Sequence, residues 1–135
     1  MSDDAKRFTL ASLPAITAAE EQGTELHLRG PDGIPLYDGD APVTLRVAGK
    51  YSPRVRRVLN RQRDYWLRQK KIKPTREELD RQKIDVCAAA LLGWSLTDEF
   101  TPENVRVLLS EDWTRDQVEE AMEEHADFSA PPSKN

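Results

Sequence analysis

One stretch constrains this chain more than any other: Ser52-Pro-Arg-Val-Arg-Arg-Val-Leu-Asn-Arg-Gln-Arg-Asp-Tyr-Trp-Leu-Arg-Gln-Lys-Lys-Ile-Lys73. It reads as a long helix. Ser52 is a residue type that accepts a hydrogen bond from a first-turn amide. Pro53 suits the first helical position, where its missing N–H has no partner to lose. Val55, Val58, Leu59, Gln62, Tyr65 and Trp66 recur at i, i+3, i+4 and i+7. That spacing gives one apolar face and assigns Tyr65 and Trp66 to the core. The other faces carry Arg54, Arg56, Arg57, Arg61, Arg63, Arg68, Lys70 and Lys71 against a single acid, Asp64. A helix of about 19 residues is roughly 28 Å long, a large share of a small domain.

The formal charge of −4 hides a segregation. Between Lys50 and Arg76 stand eleven basic residues and one acid, a local +10 that leaves −14 for the rest of the chain. From Asp98 to Asp127 eleven acids meet only Arg106 and Arg115. Such asymmetry calls for a polyanionic partner, or for docking of the basic face on the acidic one, within the chain or between copies. At 135 residues, 38% of them hydrophobic, the chain is long enough for one domain with a real core. Cys87 is the only cysteine, which excludes a disulfide framework and an all-cysteine zinc site. The N-terminus lacks an apolar signal core and no 18-residue apolar run occurs, so a soluble intracellular product with no membrane partner is expected.

Residues 1–23 read as a weakly ordered segment, with one or two helical turns over Ala15–Gln22 ended by Gly23. Thr24-Glu-Leu-His-Leu-Arg29 alternates polar and apolar as a half-buried strand does, with Leu26 and Leu28 inward. Gly30-Pro-Asp-Gly33 and Asp38-Gly-Asp40 are turn chemistry, and Pro35 confines any strand through it to an edge. Pro42–Val47 is the second strand, with Val43, Leu45 and Val47 on one face. Two strands are marginal in water, so this hairpin, residues 24–48, is expected to lie on helices.

Beyond the basic helix (residues 53–72), Thr75-Arg-Glu-Glu78 is a capping box opening a helix over 76–92, whose run from Ile84 to Leu92 is apolar and central. Gly93 ends it, and Trp94–Phe100 reads as a loop. Thr101-Pro opens a helix over 102–109. Thr114-Arg-Asp-Gln117 is a second capping box, opening a helix over 115–127 with Val118, Ala121, Met122, His125 and Phe128 in one stripe. Residues 129–135 read as a disordered tail. The class is therefore α+β: an N-terminal β-hairpin packed on a bundle of about four α-helices.

No catalytic or metal-binding arrangement emerges. His27 and His125 are remote in sequence, and Cys87 sits in an alanine-rich apolar run where a thiol behaves as a small hydrophobe. The acid pairs Glu77/Glu78, Glu119/Glu120 and Glu123/Glu124 are adjacent on helices and solvated, and Gly30–Gly33 precedes no helix that would cradle a phosphate. The candidate partner-binding residues are Arg54, Arg57, Arg61, Arg68 and Lys71. For them, docking to a protein or a second subunit ranks ahead of a merely solvated face. Nucleic-acid binding, which needs lysines and arginines beside stacking aromatics, comes third.

In this order the segments resemble the tail assembly chaperones of long-tailed bacteriophages. The resemblance runs from Thr24 to Phe128: the Thr24–Arg29 strand, the Pro/Gly turn and second strand, the Ser-Pro start of an arginine-rich helix, the apolar helix ending Ala90-Leu-Leu-Gly-Trp-Ser95, then Phe100-Thr-Pro-Glu-Asn-Val-Arg-Val-Leu-Leu109, Trp113 and a terminal amphipathic helix. Its most specific part is Gly93-Trp94 with Phe100-Thr-Pro-Glu-Asn104. The resemblance implies a protein that is not an enzyme and needs no cofactor. It would bind the tape measure protein in the host cytoplasm, keep it soluble, help tail-tube subunits polymerise around it, and be absent from the mature virion. Such chaperones are often made in two lengths by frameshifting, and this chain would be the short form. The alternatives are a nucleic-acid-binding regulator using residues 52–73 and a minor structural tail protein.

Overall fold

The computed structural model describes residues 8–69 and 73–128, with side chains as far as Glu124. The tail expected over 129–135, Lys71, and the side chains of His125 and Phe128 lie outside the described residues. The architecture is α+β. In chain order the elements are α1 (Leu13–Gln22), β1 (Thr24–His27), β2 (Tyr37–Asp38), β3 (Ala41–Pro42), β4 (Thr44–Val47), α2 (Pro53–Arg68), α3 (Arg76–Ala90), β5 (Leu91–Trp94), α4 (Pro102–Leu109) and α5 (Asp112–Phe128). Among the described residues no helix is long and apolar enough to cross a membrane.

The expected hairpin is present as β1 against β4, antiparallel, with Leu26 opposite Leu45 and Thr24 opposite Val47. The Pro/Gly-rich stretch between them folds into a small ribbon of its own, β2 with β3. A third strand joins on the far edge of β4, where β5 pairs antiparallel with Leu45 opposite Trp94 and a bulge between Arg46 and Val47. The reading of a helix to Leu92 followed by a loop is corrected here. The helix stops at Ala90, and Leu91 turns to extended backbone at φ −73°, ψ 126°. The cause is non-local: β4 has unpaired amides on that edge, and a four-residue apolar segment satisfies them.

Leu45 and Val47 are fully buried while Arg46 between them is exposed, so β4 presents one face to the interior. Onto it pack Val55 of α2, Cys87 and Ala90 of α3, Val105 and Leu109 of α4, and Val118, Ala121 and Met122 of α5. Each of the valine, leucine and methionine side chains among them stabilises the fold by about 1.5–3 kcal/mol on burial. α3 touches α2, α4 and α5 and is the central helix, as its apolar run predicts.

The helix starts differ in how they are held. Thr75 and Glu78 form the expected capping box, with amide-to-side-chain distances of 3.1 and 2.7 Å. Thr101 Oγ1 accepts the Asn104 amide at 3.1 Å. Ser52 occupies the N-cap position of α2 with extended backbone, but its buried hydroxyl makes no hydrogen bond. Thr114 does not open the last helix either. Its hydroxyl donates to the carbonyls of Leu108 and Glu111, and α5 begins earlier, at Asp112. Together with Arg115, which donates to the Leu109 carbonyl at 2.9 Å, Thr114 answers the orphan carbonyls at the end of α4.

Within residues 8–23 the helix is longer than the one or two turns expected, running from Leu13 to Gln22. α1 ends at Gly23, whose φ of +74° is a left-handed value that suits glycine, and an added Cβ would stand 2.6 Å from the Val47 carbonyl oxygen. Its last residues are tied to the domain: the Glu20 carbonyl accepts the Gly49 amide at 3.0 Å, and the Gln22 carbonyl accepts Arg46 Nε at 2.9 Å.

Candidate docking surface

The basic helix α2 lies against α3 through Val55 and Val58 and exposes its opposite side. Around its axis Arg57, Arg61 and Arg68 fall in one stripe, because steps of four and seven residues return to nearly the same angle. All three are exposed, and none forms an ion pair among the described residues. Arg54 begins the same stripe but is used by the fold. Its Nη1 donates to the Ala89 carbonyl at 3.4 Å, and its Nε lies 3.9 Å from Glu21 Oε1, too far for a hydrogen bond.

Beside the stripe an open cleft of about 350 Å³ runs between α2 and α3, lined by Arg61, Gln62, Tyr65 and Trp66 on one side and by Glu78, Arg81 and Asp85 on the other. The placement of Tyr65 and Trp66 corrects the core assignment. They meet edge to face at 5.1 Å between centroids, outside the apolar cluster, and Tyr65 is 48% exposed. Both acids of the cleft are already engaged. Glu78 serves the capping box with Thr75, and Asp85 binds Arg106 at 2.5 Å. Arg61 and Arg81 have no ion pair among the described residues, so the cleft sets two unpaired guanidinium groups beside an aromatic wall.

No family model, no curated protein and no solved structure matches this chain.

Among the described residues the expected internal meeting of basic and acidic faces is confined to one contact. Lys50 Nζ binds Glu123 Oε1 at 2.8 Å, and this hydrogen bond holds the lysine's pKa above its ordinary value. Among the described residues no arginine of α2 forms an ion pair with an acid of α5. A second groove, on the other flank of α2, is floored by Leu59, Val86 and Met122 and rimmed by Lys50, Glu119 and Glu123.

The residues that carry reactive chemistry elsewhere are occupied structurally. Cys87 is fully buried, and burial pushes its thiol up to about 12, so it is an inert apolar group at neutral pH. The His27 ring nitrogen Nε2 lies 2.9 Å from the Leu36 carbonyl and its ring packs on Tyr37. Among the described residues no three potential ligands gather to hold a metal ion. Arg81 is the surface residue that sequence reasoning missed. The signal was its spacing from Glu78 and Asp85, three and four residues along α3, which puts all three on the face turned to α2.

Proposed function

We propose that this protein is a phage tail assembly chaperone that binds segments of the tape measure protein reversibly through the α2–α3 surface. The observation that carries the reading is the cleft itself. Two arginines without ion pairs among the described residues stand beside two aromatic rings, while both neighbouring carboxylates already hold partners. A surface of that make-up suits an acidic segment bearing apolar or aromatic side chains. The rings supply the desolvated anchor, and the arginines select charge and orientation. Exposed ion pairs contribute only about 0–1 kcal/mol each, so the complex forms and releases readily, as a factor that leaves before the particle is complete requires. The resemblance from Thr24 to Phe128 supplies the identity of the partner.

Co-expression with the tape measure protein encoded in the same genome tests this. Copurification and a gain in tape-measure solubility are expected, both reduced by Arg61→Glu with Arg81→Glu. Neither effect appearing would sink the proposal. Mass spectrometry of purified particles separates a chaperone, which is missing from them, from a minor structural tail protein, which is retained.

One observation favours a second reading. Tyr65 and Trp66 stand outside the core next to unpaired arginines, the combination that single-stranded nucleic acid uses for stacking and backbone contact. That reading predicts binding to an oligonucleotide that weakens steeply with salt and is lost in an Arg57, Arg61 and Arg68 charge reversal. Unchanged binding after that reversal would exclude it.

A further inference from the structure

Arg54 carries a donor that the fold does not answer. Its Nε is buried and has no hydrogen-bond partner among the described residues. Glu21 Oε1 lies 3.9 Å away, and the other oxygen of that carboxylate is turned to the Arg54 amide at 3.4 Å. A buried N–H without an acceptor keeps its desolvation cost, the more so on an ionised group. The same side chain lines an open cavity of about 300 Å³ between α2, α3 and α4, a volume at the small end of what ligand sites occupy.

The cavity joins an apolar floor to a pair of guanidiniums. Ala88, Leu91, Val105 and Phe100 make the floor, and Leu91 and Val105 are themselves buried. Phe100 is held edge to face by Trp94 at 5.0 Å between centroids, and the Trp94 indole donates to the Asp98 carbonyl at 2.9 Å. Arg54 and Arg106 supply the polar part. Arg54 gives Nη1 to the Ala89 carbonyl and Arg106 gives Nη2 to Asp85. These bonds fix both groups while leaving most of their N–H donors uncommitted.

Glu21 and Asp85 offset the two positive charges, so the cavity selects through directed hydrogen bonds rather than through a net field. A planar, singly charged acceptor on an apolar stem meets those demands, and a doubly charged phosphate does not. We infer that this cavity binds a carboxylate borne on a short apolar body. Arg54 Nε–H donates to the carboxylate, Arg106 completes the polar rim, and the body covers Leu91, Val105 and Phe100. Two sources share that chemistry: a small aliphatic acid, and the C-terminal residue of a peptide ending in a leucine-like side chain. The site is separate from the α2–α3 cleft and stands whichever partner that cleft takes.

The test follows the nitrogen-bound protons of the full chain by NMR while hexanoate or N-acetyl-leucine is added. The Arg54 Nε–H resonance should move downfield and saturate, with a dissociation constant on the order of 1 mM for ligands this small. The Thr101 amide, which also lines the cavity, should move with it, while the Trp66 indole in the α2–α3 cleft stays in place. N-acetyl-leucinamide, which lacks the carboxylate, and acetate, which lacks the body, should each bind about tenfold or more weakly. Arg54→Lys and Arg106→Gln should each weaken hexanoate binding by about tenfold. The ligand comparison uses the unaltered chain, so it decides the matter even if a variant does not fold. Tighter binding of hexanoate assigns the site to a small acid, and tighter binding of N-acetyl-leucine assigns it to a peptide C-terminus. The inference is overturned by an Arg54 resonance that does not saturate, by equal binding of the amide or of acetate, or by shifts centred on Trp66.

Discussion

Glu20, near the end of α1, sets its Oε1 3.0 Å from the amide nitrogen of Tyr51 and accepts that N–H. The next residue, Glu21, places Oε2 3.4 Å from the Arg54 amide. The start of the basic helix is thus held by carboxylates about thirty residues upstream in the chain, where anionic oxygens also suit the positive end of the helix dipole. The buried Glu20 is what converts α1 from a loose segment into part of the domain.

Replacing Glu20 by alanine should therefore destabilise the fold by about 1–3 kcal/mol, because the part-buried Tyr51 amide loses its acceptor. Urea unfolding of Glu20→Ala checks this through the transition midpoint. Limited proteolysis of the same variant should show earlier cleavage near Gly23.

The two serine/threonine helix starts should respond oppositely. Thr75→Ala removes a real cap and is expected to cost about 1 kcal/mol. Ser52→Ala removes a buried hydroxyl that has no hydrogen bond, so stability should hold or rise slightly. A loss of about 1 kcal/mol in Ser52→Ala would mean that its hydroxyl caps α2 after all.

Leu45 is fully buried at the centre of the sheet, and Leu67 is 77% exposed on the basic helix. Leu45→Ala should cost about 2–5 kcal/mol, and Leu67→Ala should stay within about 0.5 kcal/mol of wild type. Thermal or chemical denaturation of the pair measures how strictly the apolar face of the sheet, rather than hydrophobic content as such, carries stability.

Cys87 supplies a pH dependence with a definite sign. Its thiol ordinarily ionises near 9, and burial first of all, then the nearby Glu119 charge, raises it to about 12 in the folded chain. Below pH 9 both states keep the proton and the group is neutral in effect. As pH climbs from 9 towards 12 the unfolded thiol releases its proton first, and stability falls by up to about 1.4 kcal/mol per pH unit. Unfolding midpoints across that range should drop less steeply in Cys87→Ala than in wild type. At neutral pH the folded protein should resist alkylation until denaturant is added.

Much of the fold was legible because local rules and tertiary demands agree. The Thr75/Glu78 box, the Thr101 cap, the alternation in Thr24–His27 and Thr44–Val47 and the apolar run of α3 each have a local cause, and each appears where that cause operates. What escaped depends on partners distant in sequence. Leu91–Trp94 continues an apolar run and has no period of its own, so only the open edge of β4 makes it a strand. Ser52 and Thr114 look like caps, but Glu20 and Glu21 had already taken the first role, and the carbonyls closing α4 claimed Thr114.

The docking surface was legible in part for the same reason. The exposure of Arg57, Arg61 and Arg68 follows from helical spacing. Arg54 was lost to the surface through Glu21 and Ala89. Tyr65 and Trp66 sit on the expected stripe, but that end of α2 extends past the apolar cluster, so the stripe there faces a cleft lined by Glu78 and Arg81 rather than a core.

The placement of β4 between β1 and β5 also sets an order of assembly. Its partner on one side has already been made when it leaves the ribosome, whereas Leu91, which pairs with Val47, follows forty-four residues later. At about 5–20 residues per second this interval lasts several seconds. During it a strand bearing Leu45 and Val47 has one unoccupied edge, while the arginine-rich helix is being synthesised next to it. Any stalled or truncated product ending before Leu91 keeps that edge open, and an open edge is a template for edge-to-edge pairing between such fragments.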